Sequence, residues 1–146
     1  MLLAGSLAAG AQINSSLPAG SLTRAEAMLA DDNYVGCADQ LSSLDLSRLS
    51  LADRETAAWL LARANAGISP QRGVASLKQF LARYAASIHR MEARMLLGNC
   101  LLDADPQGAL DQYDMVDPAA LTEEGRGELA YRRGCALLAL GELDGA

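Results

Sequence analysis

The sequence predicts an all-α fold, arranged as a solenoid of antiparallel helix pairs, and three observations support this prediction. Ala and Leu dominate the 146 residues, of which 51% are hydrophobic and only 4% aromatic, a composition that favours helices over a β-sandwich or barrel. Small residues recur within apolar runs at intervals of thirty-six or thirty-seven residues. Turn-forming dipeptides separate these runs, so helix and turn alternate along the chain.

The first element, residues 1–19, is predicted to be a signal-peptide-like or disordered arm. The stretch MLLAGSLAAGAQ is a short apolar run that ends in Ala9-Gly10-Ala11, a small-x-small pattern that signal peptidase accepts. No basic segment precedes the run, so an ordinary apolar arm is the alternative. A signal peptide would direct the protein to the periplasm or cell envelope, whereas a plain arm would leave it in the cytoplasm.

Residues 20–146 are predicted to form the repeat domain, in units of about 20–48, 51–86, 88–119 and a truncated 122–146. Apolar periodicity within these units predicts helices over 20–31, 34–45, 51–66, 71–84, 88–103, 106–115 and 122–140. Turns are expected at the dipeptides Ser69-Pro70, Asp105-Pro106 and Asp117-Pro118 and at Gly141. Ser21, Ser50 and Thr122 are expected to start helices, because their hydroxyls accept hydrogen bonds from free backbone N–H groups.

Four small residues occupy equivalent positions in the first helix of each unit: Ala25, Ala62, Gly98 and Gly134. A glycine in a helix interior costs about 1 kcal/mol relative to alanine. The cost is offset where a neighbouring helix packs closely against the exposed backbone. We therefore expect these four positions to lie at helix crossings.

The third unit resembles the tetratricopeptide repeat family. Leu97-Gly98 with Leu101, followed after a turn by Ala109, Tyr113 and Pro118, is similar to that family's pattern of Leu-Gly, a large residue, Ala, an aromatic residue and a closing Pro. Residues 134–146 follow the same order up to the end of the chain. The resemblance implies a right-handed α–α superhelix that binds a protein or peptide on its concave face.

Two ladders of residues at the repeat spacing are candidates for partner binding. Trp59, Met95 and Tyr131 form the first ladder, and Arg63 and Asn99, continued by Cys135, form the second, one helical turn further on. In a helix-pair solenoid the first helices of successive units line one face, and aromatic, Met and Arg side chains are enriched at interfaces. The alternative is that the apolar members fill the core of the solenoid.

No residue pattern indicates catalysis or a cofactor. His89 is the only histidine, and the nucleophile-elbow, phosphate-loop, zinc-protease and dinucleotide motifs are missing from the sequence. We therefore expect no catalytic residue, no metal site and no cofactor. The three cysteines form no ligand pattern, and the net charge of −6 disfavours nucleic acid as a partner.

These observations together predict a non-catalytic scaffold for protein–protein interaction, without membrane insertion of the mature chain. Two alternatives stay open: a ligand- or glycan-handling component of an outer-membrane uptake system, and the sensory N-terminal region of a longer signalling protein. Because the last unit lacks its second helix, we also expect the apolar side of 129–140 to promote self-association or fraying of this helix.

Overall fold

The computed structural model describes residues 20–144, with side chains up to residue 142, and this part of the chain is helical with no strand. The first helix, α1, covers residues 20–30. The others are α2 (Tyr34–Ser42), α3 (Leu51–Ile68), α4 (Pro70–Arg83), α5 (Arg90–Leu101), α6 (Pro106–Asp114) and α7 (Glu123–Asp144). Two short 3-10 helices, η1 (Leu46–Arg48) and η2 (Pro118–Ala120), lie in the longer connections.

The all-α prediction is confirmed for residues 20–144, since each predicted helix is present within a few residues of its expected limits. The predicted arm, residues 1–19, lies outside the described residues, as does Ala146. Ser21 lies inside α1 and does not begin it.

The largest differences from the predicted boundaries are at α2 and α7. Helix α2 ends at Ser42, earlier than predicted, because Asp45 accepts a hydrogen bond from Ser47 N at 3.1 Å and starts η1 instead. Helix α7 continues through Gly141 to Asp144, so the prediction of a turn at Gly141 is wrong. One glycine lowers helix propensity by about 1 kcal/mol, which leaves the surrounding residues able to continue the helix.

The second helix of each pair begins with the same kind of cap. Asn33, Ser69 and Asp105 are spaced by thirty-six residues, and each side chain accepts a hydrogen bond from the backbone N–H three residues further on. These bonds satisfy helix-terminal N–H groups that have no partner within the helix. Pro70 and Pro106 follow the last two caps, at a position where proline loses no helical hydrogen bond.

Three arginines at the same spacing hold the connections between pairs, and we call them the arginine clasp: Arg54, Arg90 and Arg126. Each guanidinium donates a hydrogen bond to the carbonyl oxygen five residues earlier. Arg54 Nε is 3.2 Å from the oxygen of Leu49, and Arg90 and Arg126 make the same bond at 3.3 and 2.9 Å. The clasp therefore ties α3, α5 and α7 each to the connection that precedes it.

The chain divides into two compact units, up to Ala64 and from Asn65 onward. The buried residues of the first unit are mostly small or aliphatic: Leu22, Ala25, Leu29, Cys37, Ala38, Leu41, Leu49, Ala57, Trp59, Leu60, Ala62 and Ala64. In the second unit α4 packs against α5, α5 against α6, and α6 against α7. A cluster of buried residues fills the space among the last three helices: Ala109, Tyr113, Val116, Leu129 and Ala136.

None of the described helices combines the length and the apolar character that a membrane span requires.

Candidate binding surface

The residues predicted to contact a partner lie in both units. In the first unit Trp59 is buried, with 5% of its surface exposed. Arg63 is exposed, and its guanidinium lies 5.9 Å from the centre of the Trp59 ring. Trp59 therefore packs inside the protein, and Arg63 is the member of this pair that faces solvent.

In the second unit Met95 and Asn99 are engaged within the fold. Met95 is partly buried and packs against the cluster around Tyr113. Asn99 Oδ1 accepts a hydrogen bond of 2.7 Å from the hydroxyl of Tyr113. The side chains of both residues are thus used between α5 and α6.

Tyr131 is the aromatic predicted contact whose side chain is exposed to solvent. Its side chain is 67% exposed, and the Arg132 guanidinium lies 5.9 Å from its ring centre. Leu137 and Leu138 on the same helix are 51% and 66% exposed. Neither leucine was among the predicted contacts, although the seven-residue spacing of Tyr131 and Leu138 places them on one helix face.

Of the four small residues expected at helix crossings, two are alanines with no exposed surface, Ala25 and Ala62. At Gly98 the close neighbour is an aromatic ring: a Cβ built there would lie 2.8 Å from Tyr113 Cζ. Gly134 differs, since a Cβ at that position would meet no described atom within 4 Å. The expected close approach is therefore missing at Gly134 in the described part of the chain.

Gly73 lies at a close helix crossing that was not predicted from the sequence. A Cβ built on this residue of α4 would lie 2.8 Å from Ala66 Cα and 2.7 Å from Cys100 Sγ. Gly73 is spaced thirty-six residues from both Cys37 and the fully buried Ala109. A comparison of small residues in the second helices, as well as the first, would have found it.

One face of α7 carries apolar or small residues that are all exposed, and we call it the exposed α7 face: Gly127, Ala130, Tyr131, Gly134, Leu137 and Leu138. The opposite face of the same helix contributes Leu129 and Ala136 to the buried cluster. Helix α7 is thus apolar on two sides, and one of them is covered by α6.

A groove of about 430 Å³ lies beside this face, between α6, η2 and α7. Val116 and Leu129 are among the apolar residues that line it, and Arg126 and Arg133 are its basic ones. Arg133 is paired with Asp114, whose Oδ1 is 2.7 Å from Arg133 Nη2. The guanidinium of Arg126 donates to the carbonyl of Leu121, so both arginines already have partners within the chain.

The side chains that could bind a metal ion are not clustered in the described part of the chain. In the described part of the chain no three His, Cys, Asp or Glu residues lie close enough together to hold a metal ion. Cys37, Cys100 and Cys135 are free thiols. Burial raises the pKa of the Cys37 and Cys100 thiols, which lowers their reactivity because the thiolate is the nucleophile.

Comparison of this chain with family models, with curated proteins and with solved structures finds no match.

Proposed function

We propose that this protein is a non-catalytic scaffold of tetratricopeptide-like helix pairs that binds a partner protein through the exposed α7 face. The observation that carries the proposal is the exposure of Tyr131, Leu137 and Leu138 on one helix. Contiguous apolar surface of this kind marks interaction sites on soluble proteins.

The regular spacing of caps and clasps supports the scaffold part of the proposal. The N-caps Asn33, Ser69 and Asp105 recur at thirty-six residues, as do the arginines Arg54, Arg90 and Arg126, and the second and third helix pairs contain both features. This period is close to that of the tetratricopeptide family. A surface built on such repeats is formed before the partner arrives, so little ordering free energy is lost on binding.

The composition of the exposed α7 face supports the binding part. Burying a leucine side chain completely is worth about 1.5–3 kcal/mol, and Leu138 has two thirds of its surface still to bury. Tyrosine is among the residues enriched at the energetic centre of interfaces. Gly127, Ala130 and Gly134 between these side chains allow a partner to approach the helix backbone.

The test is affinity capture from an extract of cells that make the protein, with three forms of the chain. The first is the unaltered protein, and the second is the double variant Tyr131→Ala/Leu138→Ala. The third is a matched control, Leu51→Ala/Ile88→Ala, which removes two apolar side chains that are 79% and 88% exposed elsewhere. A photo-crosslinking residue, introduced once at Leu137 and once at Ile88, reports which surface the partner contacts.

We expect the unaltered chain and the control to retain the same partner, and the α7 variant to lose it. Crosslinking is expected from position 137 and not from position 88. Equal capture by all three forms, or capture by none, would contradict the proposal.

A further inference from the structure

Helices α5 and α7 occupy equivalent positions in the repeat, but a face that is partly buried on α5 is exposed on α7. The four residues Met95, Gly98, Leu101 and Leu102 of α5 correspond, thirty-six residues later, to Tyr131, Gly134, Leu137 and Leu138 of α7. The comparison between the two helices shows how the chain itself covers such a face. This inference rests on the proposed function, because it concerns the partner that the exposed α7 face binds.

On α5 the face is covered by the following helix, α6. The ring of Tyr113 lies against the backbone of Gly98, where a Cβ would come within 2.8 Å of Tyr113 Cζ. Met95, Leu101 and Leu102 are partly buried against the cluster to which Tyr113 and Ala109 belong. Helix α6 contributes to this cluster a small residue, Ala109, and a large one four positions later, Tyr113.

On α7 the equivalent residues are uncovered. Tyr131, Leu137 and Leu138 are each at least half exposed, and Gly134 has no described atom within 4 Å of a built Cβ. Gly134 thus lowers the helix propensity of α7 without the close packing that accompanies Gly98. A large apolar side chain of a ligand, packed on Gly134, would make the contact that the Tyr113 ring makes with Gly98 of α5.

We propose that the exposed α7 face binds a single amphipathic helix of the partner, in the way that α6 covers α5, with a large apolar side chain of that helix lying on Gly134. The occupant is a helix with a small residue followed four positions later by this large one. Ala109 and Tyr113 of α6 show the pattern.

The polar neighbours of the two faces determine which large residue fits. On α5, Asn99 Oδ1 accepts a hydrogen bond from the hydroxyl of Tyr113, and Arg94 Nη1 donates to Gln112 Oε1 at 3.1 Å. On α7 the equivalent residues are Cys135 and Ala130, and a cysteine sulfur is a weak acceptor. A tyrosine hydroxyl buried there would lack a good acceptor, which costs free energy. The α7 face therefore favours phenylalanine over tyrosine at this position.

The probe is a labelled peptide of residues 105–118 of this chain, which contains α6 and its cap, with the change Tyr113→Phe. A short isolated helix is marginally stable in water, so the peptide carries Gln107→Lys joined to Asp111 by a lactam. These two positions are paired on the exposed side of α6, and the bridge does not alter the binding side. Fluorescence anisotropy with the full chain measures the dissociation constant.

Three comparisons are expected to follow the proposed geometry. A peptide with Tyr113→Ala should bind at least tenfold more weakly than the Phe peptide, and the parent Tyr peptide should also bind more weakly. The protein variant Gly134→Leu should lose at least tenfold in affinity while keeping its helix content, because leucine has the higher helix propensity. The control Ile88→Ala should bind the Phe peptide as the unaltered chain does.

The remaining possible results distinguish failure of this inference from failure of the proposed function. Equal affinity of the Phe and Ala peptides, or unchanged binding by Gly134→Leu, overturns the inference. A dimer seen in sedimentation velocity that Gly134→Leu dissociates, together with no peptide binding, assigns the face to a second copy and also overturns it. If Tyr131→Ala/Leu138→Ala loses the captured partner but the peptides do not bind, the proposed function stands and this inference alone fails. Peptide binding without any captured partner contradicts the proposed function and, with it, the inference that a helix of the partner occupies this face.

Discussion

At Gly98 the missing side chain lets the ring of Tyr113 lie on the backbone of α5. The ring is almost completely buried, with 1% of the residue exposed, and its hydroxyl donates to Asn99. The packing of a large aromatic side chain more than offsets the propensity lost by one helical glycine. The same residue type at Gly134 has no such neighbour among the described residues.

This contrast predicts opposite effects of one substitution at two equivalent glycines. Gly98→Ala should lower the free energy of unfolding by about 1–3 kcal/mol, because the new Cβ overlaps the Tyr113 ring. Gly134→Ala should raise it by about 0.5–1 kcal/mol, since alanine favours the helix and meets open space. Urea unfolding followed by circular dichroism measures both. A similar change of either sign in the two variants would contradict this account.

Burial raises the pKa of Tyr113 to about 12, above its ordinary value of 10.0. The Tyr113 hydroxyl therefore keeps its proton in the folded chain over a pH range in which it releases the proton in the unfolded chain. The resulting contribution to stability is complete below pH 10 and is lost as the pH rises from 10 to about 12.

Tyr113→Phe should consequently change the alkaline behaviour of the protein. Absorbance titration of the four tyrosines should lose its latest step, and stability should fall less steeply between pH 10 and 12 than in the unaltered chain. At neutral pH the variant should be less stable by about 0.5–1.5 kcal/mol, because Asn99 loses its hydrogen bond. A late tyrosine step that persists in the variant would assign the raised pKa to another residue.

At the scale of the helices, positions were predictable and orientations were not. The dipeptides Ser69-Pro70 and Asp105-Pro106 located the starts of α4 and α6, because proline and a capping side chain act locally. At Asp117-Pro118 a turn was predicted, and the structure has η2 there. The solvent side of α7 depends on tertiary packing. This helix has apolar residues on both sides, Leu129 and Ala136 on one and Tyr131 and Leu138 on the other, so periodicity alone does not distinguish them. The same limit made the buried Trp59 a candidate contact.

The contribution of a helix N-cap to stability can be tested directly. Asp105→Ala removes the acceptor of the 2.9 Å hydrogen bond from Gly108 N and should lower stability by about 0.5–2 kcal/mol. Asp105→Asn, which keeps an acceptor oxygen, should retain most of it. Asp103→Ala, at an exposed residue before the cap, is the control for charge. Equal melting temperatures for Asp105→Ala and the control would show that the cap contributes nothing.

Over the whole molecule, the acidic net charge and the exposed α7 face have different consequences. A net charge of −6 favours solubility and repels acidic partners, whereas the proposed contact on α7 is apolar. The basic side chains beside it, Arg126 and Arg133, are held by partners within the chain. Binding through this face should therefore depend on shape and apolar area more than on charge.

This expectation leads to a prediction about salt. The affinity of the Tyr113→Phe peptide for the full chain should change by less than about threefold between 50 and 500 mM salt, because apolar contacts are not screened by ions. Anisotropy titrations over this range provide the measurement. A steep loss of affinity would indicate that the arginines of the groove, and not the exposed α7 face, supply the contact.

The arginine clasp also bears on how a chain of this kind lengthens. The bond that the three arginines have in common joins residues five positions apart, and each N-cap bond joins residues three positions apart. A duplicated block of thirty-six residues therefore carries its own helix start and its own fastening, and no distant residue has to change with it. Gene duplication can add such a block in one step, and only the side chains at the new junction are left to adapt.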